Sequence, residues 1–344
     1  MKRNKWLPMV LAVAAIAVLG GGYLTLKRLN QVEEEVQTVE VATVSGEVNS
    51  IEYTTDTGKV TLVKSGDVWQ WSEDAEFPLL QEYPQSMASQ SHPIDAVALV
   101  RSDGDGLADY GLDSPSKTIV LKSGDESVTC LIGDLNNYTG EYYMMLDGSK
   151  EIYTVSSSFW DTFSYGLYDM IEKEMWPVTS VSNVTSVERE NADGTVLSVT
   201  ASENEDGTLS YQVNGQTADH TAAEDYVRTI TYLTVSECVN YKAGEEERST
   251  YGLDAPAAVL RIGYTEGEGE EAEDLEITLT IGASNGEDGY YVCIDDSQAV
   301  NIMPSDLIEE ILAAAEEDFA PKEEAESSSS ESQTAESQST SSEE

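Results

Sequence analysis

Three closely spaced aspartates are the residues of this chain that come nearest to a metal-binding pattern. Asp103, Asp105 and Asp109 occupy the first, third and seventh positions of the segment DGDGLAD. Carboxylates at this spacing supply oxygen ligands to Ca²⁺ in helix–loop–helix sites. Such a site also needs a glycine at the sixth position and a glutamate at the twelfth, where this chain has Ala108 and Ser114. We therefore expect a solvated loop here, and the alternative is a weak site for a divalent cation.

The histidines and serines give little support to nucleophilic catalysis. His92 and His220 are the only histidines, and they lie at non-equivalent positions on either side of two predicted helices. A catalytic triad needs a nucleophile, a base and an orienting acid in contact. The serines at 156–158 precede a predicted helix, where a hydroxyl group can cap the first turn. We expect no catalytic residue and no cofactor.

The cysteines do not form a recognisable framework. Cys130, Cys238 and Cys293 are the only ones, and an odd number cannot pair completely within one chain. Their spacing matches neither a zinc site nor a CxxC redox motif. Two arrangements stay open: three buried free thiols, or one disulfide with one free thiol.

Two tryptophans offer a surface for stacking. Trp69 and Trp71 alternate along one predicted strand and therefore share a face. If exposed together they could stack on sugar rings, but core packing is the commoner role of such residues.

The secondary-structure elements that position these residues occur in two similar copies along the chain. The pattern YGLDxP occurs at 110–115 and again at 251–256, an offset of 141 residues. Glycine permits a positive φ, aspartate can bond to the backbone two residues on, and proline fixes the start of the next strand. We interpret the pattern as a structural turn rather than a ligand site. Its residues are Tyr110, Gly111, Leu112, Asp113 and Pro115, and then Tyr251, Gly252, Leu253, Asp254 and Pro256.

Each copy predicts the same succession of elements. Apolar periodicity predicts three short strands, a helix, the YGLD turn, four strands and a terminal helix. In the second copy the first helix spans 221–231 with Thr221 as its cap, while Pro84 should shorten or break its counterpart at 80–90. Strands joined by short loops pair antiparallel. The predicted fold class is α+β: two tandem repeats of an antiparallel β-sheet module with helices on one face.

The amino terminus predicts a membrane anchor. Residues 6–26 carry no charge, and at about 1.5 Å per residue they would span roughly 30 Å, one hydrocarbon core. Three bases precede this segment and two follow it, which favours a cytoplasmic amino terminus. The alternative is a cleaved signal peptide, since the glycines at 20–22 permit cleavage. Either interpretation places the rest of the chain outside the cytoplasm.

These features predict the domain organisation. Residues 1–26 form a cytoplasmic stub and a single transmembrane helix, and 27–43 form a stalk whose valines recur at helical spacing up to Val39. The first repeat module covers 44–175 and the second covers 176–315. Residues 316–344 form an acidic tail of serine and glutamate that cannot bury enough apolar surface to fold.

Charge narrows the choice of partners. The chain has 65 acidic and 18 basic residues, a formal charge of −47. Five of the bases precede Glu33, the first acid, so the remainder carries 13 bases against 65 acids, or −52. Nucleic acid is excluded as a partner, because phosphate binding needs clustered lysine and arginine. The charge favours solubility in an ionic medium, with cation binding as the alternative.

The repeated residues resemble a known family. The YGLDxP turn, an Ile-Gly strand end, a Tyr-Tyr strand and a hydroxyl-rich segment before a helix follow one another behind the predicted anchor. In the first copy they lie at 110–115, 132–133, 142–143 and 155–159. The pattern resembles the bacterial DUF4340 family, a domain of unknown function, over residues 44–315. The resemblance implies an exported, membrane-tethered protein that accompanies an ABC transporter and its auxiliary membrane protein. It transfers no catalytic residue to this chain.

We therefore expect a membrane-anchored, extracytoplasmic accessory protein without enzymatic activity, associated with an ABC-type transport system. Its expected partners are the membrane and transporter subunits. Two alternatives stay open: a cell-surface module that binds wall polymer or divalent cations, and a hydrolase that uses paired carboxylates. The hydrolase would need two acids within about 5–10 Å of each other, a distance that the sequence does not give.

Overall fold

The computed structural model describes residues 38–267, 269 and 272–321. These residues form two compact units that divide between Glu172 and Lys173. The predicted membrane span at 6–26, the stalk up to residue 37 and the tail beyond residue 321 lie outside the described residues. Within the described ranges, no helix is both long enough and apolar enough to cross a membrane.

The first unit contains a large antiparallel sheet and a separate pair of short strands. The strands of the large sheet are β2 (Ser50–Thr55), β3 (Gly58–Ser65), β4 (Val68–Trp71), β6 (Ala98–Arg101), β7 (Lys117–Ser123), β8 (Glu126–Asn136), β9 (Glu141–Leu146) and β10 (Ile152–Val155). Their order is β4-β3-β2-β7-β8-β9-β10-β6. The short pair is β1 (Val39–Val41) with β5 (Ile94–Ala96), and the helices are α1 (Glu82–Ser91) and α2 (Ser157–Thr162).

The second unit contains a nine-stranded antiparallel sheet. Its strands are β11 (Val184–Asn191), β12 (Val196–Glu203), β13 (Leu209–Val213), β14 (Gln216–Thr217), β15 (Glu237–Asn240), β16 (Ala258–Glu266), β17 (Glu273–Ser284), β18 (Gly289–Ile294) and β19 (Val300–Pro304). Their order is β14-β13-β12-β11-β16-β17-β18-β19-β15. The helices are α3 (His220–Thr231), α4 (Glu245–Thr250) and α5 (Ser305–Ala313).

The strand orders of the two sheets correspond position by position, apart from the additional β14. Every strand pair in both sheets is antiparallel, and the helices are few. The α+β class with antiparallel sheets is therefore confirmed. The alternation of buried residues explains the sheets: Ala258, Leu260 and Ile262 of β16 are buried in turn and pack with Val227 and Ile230 of α3.

Neighbouring tyrosines define the two faces of the first sheet. In β9, Tyr142 stacks on Trp160 of α2 with 4.3 Å between ring centres. Tyr143 points to the other face and meets Tyr110 edge to face at 4.8 Å. One face is thus covered by α2, and the other by the YGLD turn.

The predicted helices differ from the observed ones at their first turns. Pro84 does not break α1, because it lies in the first turn, where the backbone N–H has no helical partner. The cap of α3 is Asp219, whose carboxylate accepts from the N–H of Ala222 at 2.9 Å, and Thr221 lies inside the helix. The cap prediction was wrong: aspartate and threonine can both cap a helix, aspartate is the stronger of the two, and Asp219 holds the cap position here.

The ends of the fold also differ from prediction. Val39, which the spacing assigns to a stalk helix, lies in β1 opposite Ala96. At the other end, a 3₁₀ turn at Glu316–Phe319 continues the second unit past residue 315. Phe319 is buried and packs edge to face against Tyr226 of α3, so this apolar residue is what holds the first residues of the predicted tail.

Candidate functional site

The YGLD turn of the first unit ends a short 3₁₀ helix, Leu107–Tyr110. Gly111 has φ +68°, the left-handed conformation that glycine adopts without strain. The N–H of Leu112 donates to the carbonyl of Leu107 at 2.9 Å, and that of Gly111 to Ala108 at 3.4 Å. These two bonds make a Schellman cap, which satisfies the last carbonyls of a helix.

The second copy has the same geometry at the end of α4. Gly252 has φ +74°. The N–H of Leu253 donates to the carbonyl of Arg248, and the N–H of Gly252 to that of Ser249, both at 3.1 Å. The tetrapeptide is therefore a helix cap in both units, with its leucine buried beneath it.

The glycine of the Ile-Gly pair lies directly beneath this cap. A Cβ added to Gly133 would overlap the carbonyl oxygen of Tyr110, and one added to Gly282 would overlap that of Tyr251. In the second unit the N–H of Ala283 donates to the Tyr251 carbonyl at 2.8 Å. Backbone thus packs on backbone, which only glycine allows.

The sequence predicts that the strand ends at this glycine, and this prediction was wrong. β8 runs on to Asn136 and β17 to Ser284, each with a register shift where the cap rests on it. Such a bulge bends a strand and re-aims the residues that follow. The Tyr-Tyr strand completes the contact, because Tyr291 packs against Tyr251 at 4.9 Å, as Tyr143 does against Tyr110.

The aspartates of the turn do not have the predicted bond. Asp113 and Asp254 are exposed, and neither carboxylate forms a hydrogen bond within the described part of the chain. The predicted acceptor role fails because the residue two positions on is Pro115 or Pro256, which has no N–H. Both carboxylates are left facing solvent.

The predicted cation ligands are not brought together. Arg101 binds Asp103 through two bonds, Nε to Oδ1 at 2.9 Å and Nη2 to Oδ2 at 2.7 Å. The Arg101 guanidinium lowers the pKa of Asp103 to about 2. The N–H of Asp105 also donates to Asp103 Oδ1 at 3.2 Å, so this carboxylate stabilises its own loop. Among the described residues, no group of three or more His, Cys, Asp or Glu side chains is placed to hold a metal ion.

Two short patterns, GxSxG and SxxK, are typical of enzymes with a serine nucleophile. Both occur in this chain, and in both places the structure gives the serine or the lysine a structural role. Residues 282–286 read GASNG, but they form the β17–β18 hairpin rather than a strand-to-helix elbow. The Oγ of Ser284 contacts the carbonyl of Gly289 and the N–H of Gly286 in that hairpin. Residues 114–117 read SPSK, and the ammonium of Lys117 is bonded to the end of α2 instead of to a serine of that segment.

The histidines, cysteines and tryptophans occupy structural positions. His92 follows α1 and lies 3.2 Å from Thr43 Oγ1, and His220 begins α3, 3.0 Å from Glu224. Trp69 is buried and Trp71 packs edge to face on Phe77, so core packing accounts for both. The three cysteines are free and buried, and burial raises the pKa of their thiols, which keeps them protonated and unreactive.

Each unit contains one buried cation that the sequence did not indicate. Lys117 of β7 is 4% exposed. Its Nζ donates to the carbonyls of Phe163 at 2.8 Å and Trp160 at 3.2 Å and to Ser164 Oγ at 2.7 Å, and it lies 3.9 Å from the centre of the Trp160 ring. These acceptors surround the carboxyl end of α2, where carbonyls lack helical partners and a cation is favoured.

Arg189 of β11 has the same role in the second unit. It is 3% exposed, and its two terminal nitrogens donate to the carbonyls of Ile311 and Ala314 at the carboxyl end of α5. It also lies at the base of an open groove of about 540 Å³, which is lined as well by Thr195, Asn214 and other residues. The two cations come from strands that do not correspond in the two sheets, since β7 occupies the position of β16 and β11 that of β2.

Raising the pH from 8 to 10 should stabilise the wild-type protein relative to Lys117→Met. Burial lowers the pKa of Lys117 from 10.5 to about 8, so in this window the unfolded chain binds more protons than the folded one. Stability then rises with pH, by about 2 kcal/mol over the window. Urea unfolding at both pH values measures the difference, with exposed Lys122→Met on the same strand as control. A difference that stays constant or falls would contradict the prediction.

Comparison of the chain with known protein families gives a match. The family described as DUF4340, a domain of unknown function, matches residues 69–256. The match begins in β4, crosses from the first unit into the second and ends at Pro256 of the second YGLDxP turn. No curated protein and no solved structure matches the chain. Because the matched residues are more than half of its length and include both turns, the chain belongs to the DUF4340 family.

Proposed function

We propose that this protein is a membrane-anchored, extracytoplasmic accessory protein of an ABC-type transport system, without enzymatic activity of its own. The observation that carries the proposal is the uncharged segment 6–26, which three bases precede and two follow, ahead of a remainder with 13 further bases and 65 acids. A single span with this charge asymmetry leaves the amino terminus in the cytoplasm and exports the rest.

The short connection to the first unit supports a position close to the bilayer. Only residues 27–37 separate the uncharged segment from the first described residue, Thr38, and β1 then begins at Val39. Eleven residues reach at most about 40 Å even when fully extended. The first unit is therefore tethered within contact distance of any membrane complex that holds the anchor.

The repeated architecture favours a scaffold that presents surfaces to a partner. We interpret the two sheets of matching strand order as tandem repeats of one module. The elements that recur in both copies, the cap, the glycine beneath it and the paired tyrosines, are explained by packing. Packing alone therefore explains why these residues recur in both copies, without a catalytic or binding role for them.

Co-purification tests this proposal. The full chain, tagged at its carboxyl end, is extracted from its native membrane in a mild detergent. We expect a nucleotide-binding subunit and a membrane subunit of one transporter to accompany it. The matched control replaces residues 1–26 by an unrelated single span of the same length and topology, and should lower recovery of both subunits at least tenfold.

Two outcomes would contradict the proposal. Recovery of the tagged chain alone after chemical cross-linking in intact cells would remove the transporter as a partner. Tight binding of Ca²⁺ or of purified wall fragments to the full chain, without transporter subunits, would favour the cell-surface binding module instead.

A further inference from the structure

The edge strand β6 of the first unit is apolar, and no residue between 38 and 321 that the structure describes pairs with its outer edge. It is the last strand of its sheet and pairs only with β10 among the described residues. Leu99 and Val100 are 46% and 39% exposed, and Ala98 is exposed beside them. The outer edge of such a strand presents backbone N–H and C=O groups that can pair with another chain.

The corresponding edge of the second unit is protected. Leu99 pairs with Tyr153, the second residue of β10, and Cys238 of β15 pairs with Asn301, the second residue of β19. Cys238 is only 3% exposed, and an exposed charge, Glu237, lies on the same strand. Charges on an edge strand are a usual device against pairing with other chains.

Side chains from the start of the second unit add to this protection. Lys173 Nζ donates to the carbonyl of Ser236, the residue just before β15, at 2.9 Å. Glu174 Oε2 accepts from Asn301 Nδ2 at 2.6 Å. One copy of the edge thus carries an exposed charge and a buried cysteine, whereas the other carries exposed Ala-Leu-Val.

We propose that β6 is a docking strand, to which an extended segment of a partner protein adds as a further strand of the first sheet. The inference rests on the proposed function, since it assigns the surface through which the accessory protein contacts its partner. Backbone pairing supplies affinity in this mode, and alternate side chains supply specificity. Leu99 offers an apolar contact to the side chain that lies opposite it on the same face of the added strand.

The acidic residues on either side of β6 determine which kind of peptide segment can pair with it. Asp95 lies just before β6, and Asp105 and Asp109 follow it, all exposed. Arg101 does not offset them, because Asp103 already neutralises it. The added segment should therefore be apolar in its centre and basic at its ends. A second copy of this chain, which also carries a large negative charge, would be repelled.

A peptide pair tests the docking strand on the full chain in detergent micelles. One labelled peptide alternates valine and threonine between lysine pairs, and the other has glutamates in place of the lysines. By fluorescence anisotropy we expect the lysine peptide to bind at least tenfold more tightly than the glutamate peptide. Methylation of its alternate backbone amides should abolish binding, because the methyl groups remove strand pairing.

Matched variants locate the site. Leu99→Lys with Val100→Lys should weaken binding of the lysine peptide at least tenfold. The control is Val68→Lys with Val196→Lys, which adds the same charge at two exposed valines elsewhere and should change binding less than twofold. Hydrogen exchange should show that the peptide protects those amides of residues 98–101 that do not bond to β10. Equal binding by both double variants would overturn the proposal.

Other occupants would give other results, each of which overturns the proposal. If the wild-type chain is a dimer and the double variant Leu99→Lys with Val100→Lys is a monomer, a second copy covers β6. Slow exchange, before any peptide is added, at the β6 amides that do not bond to β10 would mean that this chain covers the outer edge itself. If the same double variant still recovers transporter subunits in full, docking at β6 is wrong while the proposed function stands.

Discussion

Gly133→Ala is expected to lower the free energy of unfolding by about 3 kcal/mol, one of the two largest effects that we expect from a single substitution. The added methyl group would overlap the carbonyl oxygen of Tyr110 and lie 3.1 Å from its carbonyl carbon. Both neighbours are backbone atoms, so no side chain can rotate away. Either the YGLD cap must lift off the sheet, or the bulge in β8 must shift.

Urea unfolding of the full chain measures this effect, followed by tryptophan fluorescence and by hydrogen exchange of the β8 amides. Gly282→Ala should act in the same way on the second unit, since its methyl group would overlap the Tyr251 carbonyl. The control is Gly244→Ala, where φ is −71° and the nearest atom to the new methyl group, Glu247 Oε2, is 3.7 Å away. That change should cost less than about 1 kcal/mol. A Gly133 variant as stable as the control would refute the close packing.

The sequence predicts the glycine of the turn and not the glycine beneath it, for a physical reason. Gly111 follows from local chemistry, because a positive φ at the end of a helix favours glycine whatever the fold. The need for Gly133 arises from a carbonyl that reaches it only once the cap has folded onto β8. A requirement that arises only when two distant backbone segments come together leaves no local signal, and a glycine between strand residues predicts the end of the strand instead.

The edge strands were missed for a similar reason. β6 has only four residues and lies between a helix and the 3₁₀ turn, where the spacing suggests a loop. β15 includes Glu237 and Asn240, which do not favour strands. Both strands exist because β10 and β19 offer them an open edge. By contrast, the antiparallel pairs with longer apolar alternation, such as β7 with β8, were predicted from sequence alone.

The buried cations could not have been found by comparing the copies. Lys117 and Arg189 serve the same purpose, but they come from different strands, and no periodic pattern links them. Lysine and arginine are usually exposed, so sequence alone assigns them to the surface. Only the ends of α2 and α5, brought over the sheet by the fold, supply the carbonyl acceptors to which these two side chains donate.

Arg189→Met is expected to destabilise the second unit by about 3 kcal/mol, because it leaves the buried carbonyl of Ile311 and the half-buried carbonyl of Ala314 without these donors. Methionine keeps most of the aliphatic volume, so the loss reports the hydrogen bonds rather than a cavity. The effect should appear as faster hydrogen exchange in α5 and a lower urea midpoint.

The control for Arg189 is Arg261→Met on the neighbouring strand β16. Arg261 is exposed and pairs with Glu188 at 3.0 Å on the surface, so its loss should cost less than about 1 kcal/mol. Arg189→Lys adds a graded test, since lysine keeps the positive charge but lacks the planar guanidinium fork that places one nitrogen at each carbonyl. Its stability should fall between that of the wild type and Arg189→Met. If Arg189→Met matched Arg261→Met, the carbonyls of α5 would have to find other donors, and the cation would not be what holds the terminal helix on its sheet.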